Sequence, residues 1–167
     1  MKIVIIGVVI LVMIVVLIFV LGWLAPETHE TVRSKKYSAP PAVIFKMITD
    51  FAQYPHWRSD VKAVEIQENG QLIIEKNRQG VLPYRIKERI ENVKLITVID
   101  DPSLPFSGTW RFDIVGEGST CQLTITETGK VPNPLFRFFS KYIFSQEKTV
   151  QTYLQDLEKA VKIKSEP

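Results

Sequence analysis

The sequence has few of the residues that usually build metal centres and catalytic sites. It contains one cysteine, Cys121, so neither an internal disulfide nor a cysteine-based metal cluster can form. Its two histidines, His29 and His56, are far apart in the chain, and no glycine-rich phosphate loop occurs. We therefore expect no metal and no cofactor. The small net charge of +3 also argues against nucleic acid as a partner.

Charge is absent from the segment between Ile3 and Leu24. These 22 mostly apolar residues are enough to cross roughly 30 Å of hydrocarbon as a helix. A cleaved signal peptide is the alternative, but its apolar core usually has about 7–15 residues and precedes a small-residue cleavage site. The sequence favours an uncleaved transmembrane anchor over residues 1–25 and a single domain over residues 26–167.

The side of the membrane on which this domain lies is predicted by two signals that disagree. Lysine and arginine residues after the span, at Arg33, Lys35 and Lys36, favour a cytoplasmic domain. Lys2, directly before the span, is instead typical of a signal anchor that exports its C-terminal domain. We prefer the extracytoplasmic side.

Alternating apolar residues dominate the middle of the chain and predict antiparallel strands. A charged edge strand near Glu30–Tyr37 and a short helix beginning near Pro41 come first. About six strands come after them, and Asn69-Gly70 between two alternating runs is a strong hairpin signal. Strands paired by hairpins, with the helices gathered on one side, predict an α+β domain.

A long amphipathic helix is predicted at the C-terminal end, from Asn133 to about Lys162. Asn133 is a suitable N-cap, and Pro134 suits the first helical position because its missing N–H has no partner there. Apolar residues then recur at helical spacing. The first part of this helix is rich in aromatic rings and includes Arg137, whereas the second part is more aliphatic.

The order strand, helix, antiparallel strands and long helix resembles the SRPBCC or START-like superfamily, and within it membrane-anchored bacterial proteins. The residues that carry the resemblance are 38–45, 49–61, 104–110, 127–129 and 133–138. The superfamily includes polyketide cyclases and dehydrases, lipid-transport domains and birch-pollen-allergen-like proteins. The resemblance implies an α+β helix-grip fold: a curved antiparallel sheet of about seven strands wrapped on a long C-terminal helix, preceded by one N-terminal transmembrane helix and enclosing an apolar cavity.

That implied cavity makes the inward aromatic residues candidates for ligand contact, although the same residue types also fill ordinary cores. Arg137 joins them because its head group could meet a ligand carboxylate or an acidic partner. The candidate ligand-binding residues are Phe51, Tyr54, Trp57, Tyr84, Trp110, Phe112, Arg137, Phe138 and Tyr142.

Catalytic signals are weak, and we predict no catalytic residue. His56 could serve as a general base, but no serine, cysteine or aspartate is placed beside it as in a triad. His29 is expected to be solvated in the linker after the span. The S-x-x-K pattern of Ser145–Lys148 lacks its companion motifs. A basic stripe on one strand face, either solvated or facing anionic lipid, is predicted from Arg85, Lys87 and Arg89.

We expect from these features a membrane-anchored, non-enzymatic module that binds a hydrophobic small molecule, such as a lipid or an isoprenoid. Two alternatives remain open. One is a polyketide cyclase or dehydrase-like enzyme acting in the same cavity, with Tyr54, His56, Tyr84 and Arg137 as candidates. The other is an anchored protein-interaction domain.

Overall fold

A computed structural model describes residues 2–77, 80–143 and 146–165. Over these residues a seven-stranded antiparallel sheet, in the order β1-β7-β6-β5-β4-β3-β2, packs against helices on its inner face. This is the α+β architecture that the sequence predicted. Its helices and strands are α1 (Lys2–Leu24), β1 (Thr28–Tyr37), α2 (Pro41–Thr49), α3 (Tyr54–Trp57), β2 (Val61–Gln67), β3 (Leu72–Asn77), β4 (Val81–Ile90), β5 (Lys94–Ile99), β6 (Ser107–Glu117), β7 (Thr120–Lys130), α4 (Pro134–Tyr142) and α5 (Gln146–Ser165).

Helix α1 is apolar and exposed to its surroundings along most of its length. Its 23 residues measure about 34 Å at 1.5 Å per residue, which exceeds the thickness of a bilayer core. Length and composition therefore allow α1 to span a membrane, although a signal sequence would satisfy the same criteria.

Turn chemistry fixes the register of the first hairpin. A short 3₁₀ turn over Glu68–Gly70 joins β2 to β3, and Asn69 and Gly70 have φ values of 54° and 89°. Asparagine and glycine reach the left-handed region at lower cost than other residues. The hairpin predicted from this dipeptide is confirmed.

The core lies between the inner face of the sheet and helices α2 and α5. Ile44 and Ile48 of α2, Leu123 and Ile125 of β7, and Leu157 of α5 are fully buried. This alternation in β7, and the helical spacing in α2 and α5, are the periods that bury one face of each element. Burial of these apolar faces is what holds the helices on the sheet.

The predicted single C-terminal helix is wrong, because the structure has two helices, α4 and α5, in its place. The start was placed correctly: the Asn133 side chain accepts a hydrogen bond from the Leu135 N–H at 2.9 Å, with Pro134 in the first turn. Helix α4 ends at Ile143, whose N–H bonds to the Phe139 carbonyl. The two helices face different partners, since α5 packs on the sheet and α4 packs mainly on α1.

A bulge in β4 corrects the predicted basic stripe. The β4–β5 register shifts between Ile86 and Glu88, so that Arg89 pairs with the fully buried Leu95 and lies on the inner face. There its guanidinium stacks over the Phe45 ring at 5.5 Å. The extra residue of a bulge reverses the facing of the residues after it. Arg85, before the bulge, stays outside.

Candidate ligand-binding site

Six of the predicted cavity residues come together between the sheet and helices α2 and α3, and a seventh ring from α5 completes the group. Neighbouring rings are 5.2–5.9 Å apart, mostly edge to face, as in the Phe51–Tyr54 and Tyr54–Trp57 pairs. This group, called the aromatic cluster below, consists of Phe51, Tyr54, Trp57, Tyr84, Trp110, Phe112 and Tyr153.

A buried ion pair lies against the aromatic cluster. The Arg58 guanidinium donates to Glu75 at 2.7 Å and to Asp60 at 2.7 Å, and Arg58 and Glu75 are only 8% and 3% exposed. The same guanidinium lies 5.0 Å from the ring centres of Tyr54 and Tyr153. Burial alone would lower the pKa of Arg58, but Glu75 and Asp60 outweigh it and raise that pKa. Arg58 is therefore held charged inside the fold.

Hydroxyl groups of the aromatic cluster are also paired. The Tyr54 hydroxyl lies 2.8 Å from the Ile48 carbonyl, to which it donates, and 3.1 Å from the Tyr153 hydroxyl. Burial raises the pKa of both phenols, so they stay neutral at physiological pH. In this half of the interior the side chains contact one another closely. Whether any of them touches a ligand stays a prediction.

The other three predicted residues, Arg137, Phe138 and Tyr142, lie together on α4, next to the end of α1. Arg137 donates to the Ala25 carbonyl at 3.1 Å and to the Pro132 carbonyl at 2.6 Å. A cation at the C-terminal end of a helix, as here at the end of α1, satisfies carbonyls that have no partner within the helix. The backbone of Pro134 lies so close to Gly22 that any side chain at Gly22 would collide with it.

A pocket of about 560 Å³, open on one side, lies at the end of the sheet where β1 begins and β7 ends. The strand register explains its shape. His29, Gly129 and Gly108 lie side by side across β1, β7 and β6, and Ile99 of β5 reaches the place that a side chain of Gly108 would fill. The two glycines thus leave a floor of bare backbone between His29 and Ile99. We call this feature the glycine trough.

Two polar side chains border the glycine trough on the inner face of the sheet. Glu127 precedes Gly129 by two residues on β7 and so shares its face, and Trp110 lies opposite Glu127 on β6. The His29 Nε2 and Glu127 Oε2 atoms are enclosed, yet neither has a hydrogen-bond partner within the described part of the chain. Buried polar atoms in proteins are almost always paired, so such atoms identify a place where a bound group could pair with them.

Burial controls the protonation of both groups. It raises the pKa of Glu127 to about 7, an effect that a hydrogen bond from the Trp110 side chain opposes. It also lowers the pKa of His29. Near neutral pH the imidazole is thus uncharged, while the carboxyl group exists in both its protonated and its ionised form. Together they can donate and accept hydrogen bonds.

The expectation that His29 is solvated in a linker is wrong. His29 belongs to β1, faces inward over Gly129 and is only partly exposed. The sequence held one usable signal: in β7 the alternating residues Cys121, Leu123 and Ile125 predict that Glu127 faces inward too. The position of His29 could not be read in this way, because the inward positions of β1 also hold charged residues.

The remaining weak candidates gain no support. His56 is exposed on α3. Ser145 of the S-x-x-K pattern lies outside the described residues. Within the described ranges no three histidine, cysteine, aspartate or glutamate residues are grouped as metal ligands would be.

Comparison with known families places residues 28–162 in a match to the family described as polyketide cyclase/dehydrase and lipid transport. The matched region begins at β1 and ends within α5, so it contains the whole sheet and the glycine trough. No curated protein matches the sequence at a significant level.

Solved structures show the same fold at low sequence identity. A START superfamily protein from Mycobacterium smegmatis has a TM-score of 0.65 and 20% identity, covering 82% of this chain and 99% of its own. The norcoclaurine synthase of Thalictrum flavum has a TM-score of 0.65 at 10% identity, covering 86% and 91%. An aromatase/cyclase from Streptomyces sp. R1128 has a TM-score of 0.64 at 10% identity, covering 81% and 94%.

Proposed function

Because the chain belongs to the polyketide cyclase/dehydrase and lipid transport family, we propose that it is a membrane-anchored module that binds a hydrophobic small molecule without transforming it. The family supplies the class of ligand. The anchor, the binding role and the residues involved are proposed from the structure.

The observation that carries the proposal is the position of the glycine trough relative to α1. The trough is lined by Thr28 and His29, the first residues of β1, only a few residues after Leu24 ends the apolar helix. With α1 across a bilayer, the trough would lie close to the membrane surface. A hydrophobic ligand could then pass between the lipid and the protein over a short distance, without crossing much water.

Helix α4 supports the same placement. Its contact with α1 leaves apolar side chains uncovered: Leu135, Phe136, Tyr142 and Ile143 are each more than 40% exposed. Trp23, at the end of α1, is 68% exposed. Aromatic and aliphatic side chains next to the end of a span are typical of the membrane interface. We assign this exposed surface of α4 to contact with lipid.

Binding can be tested with the full chain extracted in mild detergent. Native mass spectrometry should detect a co-purified hydrophobic molecule, or binding from a panel of lipids. Ile99→Trp would fill one side of the glycine trough and should abolish binding, whereas Val115→Trp, on an exposed position of β6, should not. A chain that never carries or accepts a ligand, or equal binding by both variants, would contradict the proposal.

A second candidate function is a cyclase or dehydrase reaction in the same trough. The observation that favours it is the presence of His29 and Glu127, two acid–base groups with unpaired atoms beside a pocket in the described part of the chain. Incubation with a linear poly-β-keto thioester separates the two functions, since ring closure with dehydration lowers the substrate mass by one water. An unchanged mass supports a binding module, whereas a loss of one water that Glu127→Gln abolishes would establish catalysis.

A further inference from the structure

The inner surface of the sheet changes character at the glycine trough. Elsewhere this surface carries side chains that reach the helices, such as Phe112 and Leu123. At the trough, Gly129 and Gly108 lie next to each other on β7 and β6 and provide no side chain. Glycine within a strand often marks a place where another group approaches the backbone closely. A bare backbone floor suits a flat group lying on it.

The imidazole of His29 depends on this floor. A Cβ atom at Gly129 would collide with the imidazole, whose Nδ1 atom would be 3.1 Å away and whose other ring atoms would be closer. The ring therefore lies directly over the β7 backbone, where only glycine leaves room for it. Its enclosed Nε2 atom is free of protein partners in the described part of the chain. The sheet thus positions this nitrogen at the border of the trough.

Glu127 supplies the second unpaired atom on the same border. It occupies the inward position of β7 adjacent to Gly129, and its neighbours across the sheet are Thr31 on β1 and Trp110 on β6. Neither of these two neighbours is a lysine or an arginine, so neither compensates a negative charge there. An anionic head group would be repelled by the ionised carboxylate, and an uncharged one would not.

We infer that His29 and Glu127 together recognise an uncharged hydroxyl group carried by a flat apolar ring that lies on Gly108 and Gly129. The inference rests on the proposed binding function and names its ligand class. A hydroxyl group both donates and accepts hydrogen bonds, which matches one neutral imidazole and one carboxyl group. The flat ring meets the backbone floor, and Ile99 and Trp110 provide apolar contact.

Two probes of the same shape test this inference: 2-naphthol carries the hydroxyl group, and naphthalene lacks it. The full chain, labelled with carbon-13 at the Cε1 of its histidines and held in lipid nanodiscs, is titrated with each probe. The protein has two histidines, so His56, exposed on α3, is an internal control for His29. We expect 2-naphthol to shift the His29 resonance and not that of His56, and to bind about five- to tenfold more tightly than naphthalene.

Variants separate recognition from general damage. Glu127→Leu should weaken 2-naphthol binding about five- to tenfold and leave naphthalene binding unchanged, whereas Glu127→Gln, which keeps hydrogen-bonding groups, should restore it to within about twofold. Glu117→Leu, the same change at an exposed position of β6, should have no effect. Gly129→Ala should displace the imidazole and remove the His29 shift.

Each outcome has a definite meaning. Equal affinity for both probes, or equal shifts of His29 and His56, overturns the inference while leaving the proposed binding function in place. Failure of both probes to bind, although lipids from the panel do, shows that a flat ring is the wrong ligand and overturns it too. Failure of every hydrophobic probe contradicts the proposed function itself.

Discussion

The buried pair of Arg58 and Glu75 allows a strong test of how the interior is stabilised. We expect Arg58→Met to destabilise the fold by about 3–5 kcal/mol, because it leaves the Glu75 carboxylate buried without its cation. Methionine keeps much of the contact with the Tyr54 and Tyr153 rings, so lost packing contributes little. A loss of this size lowers the melting temperature by roughly 10 °C.

Thermal unfolding of the full chain in detergent, followed by near-ultraviolet circular dichroism, measures the loss. Arg111→Met is the matched control, since Arg111 also binds an aspartate at 2.7 Å but is 50% exposed. Its pair should contribute less than about 1 kcal/mol. The double variant Arg58→Met with Glu75→Leu should recover most of the loss, because no charge of this pair is then left buried. Equal losses for the Arg58 and Arg111 variants would refute the reasoning.

Three further predictions concern the site and the joint between α1 and α4. The pKa of Glu127 is raised to about 7 from about 4.5 in the unfolded chain, so its contribution to stability is complete below about pH 4.5 and is lost as the pH rises through 7. Glu127→Gln should remove this loss and unfold at higher urea than the parent at pH 8, by up to about 3 kcal/mol; parallel pH profiles would contradict it. Gly22→Val should separate α4 from α1 and speed amide exchange throughout α4, whereas Gly7→Val, which meets nothing within 4 Å, should not. Asn133→Ala removes the α4 cap and should cost about 1 kcal/mol locally, seen as faster exchange of the first-turn amides only.

Local chemistry accounts for the parts of the fold that could be predicted from sequence. The hairpin at Asn69-Gly70 and the helix start at Asn133 and Pro134 depend on a few adjacent residues, whose backbone preferences act over one turn. Alternation did the same for β6, where Phe112 and Ile114 are buried as predicted. Such signals survive folding because neighbouring residues meet their requirements directly.

Tertiary contacts decided the rest. The bulge that turns Arg89 inward has no glycine or proline to mark it, and its result is seen only in the pairing with β5. The division of the last helix into α4 and α5 depends on α1, which gives the ring-rich α4 a partner of its own. Sequence periodicity shows that a face is apolar and cannot show which neighbour will cover it.

The candidate site illustrates the same limit. The aromatic residues that the sequence singled out do assemble, but they assemble mainly with one another and with Tyr153. The glycine trough is built instead from residues with little apolar character, and it exists because Gly108 and Gly129 are brought side by side by the register of β6 and β7. Register between distant segments is not written in either segment alone.

The connection between α1 and β1 is short and is held at both ends. Arg137 binds the Ala25 carbonyl, and Glu27 accepts a hydrogen bond from the Val131 N–H at 2.8 Å and pairs with Lys130 at 3.2 Å. It is therefore a stiff joint rather than a leash. With α1 in a bilayer, the domain would keep a constant tilt and height and could not swing toward a second membrane. Its search for a ligand would be two-dimensional, with encounter rates set by lateral diffusion in one leaflet rather than by tumbling in solution.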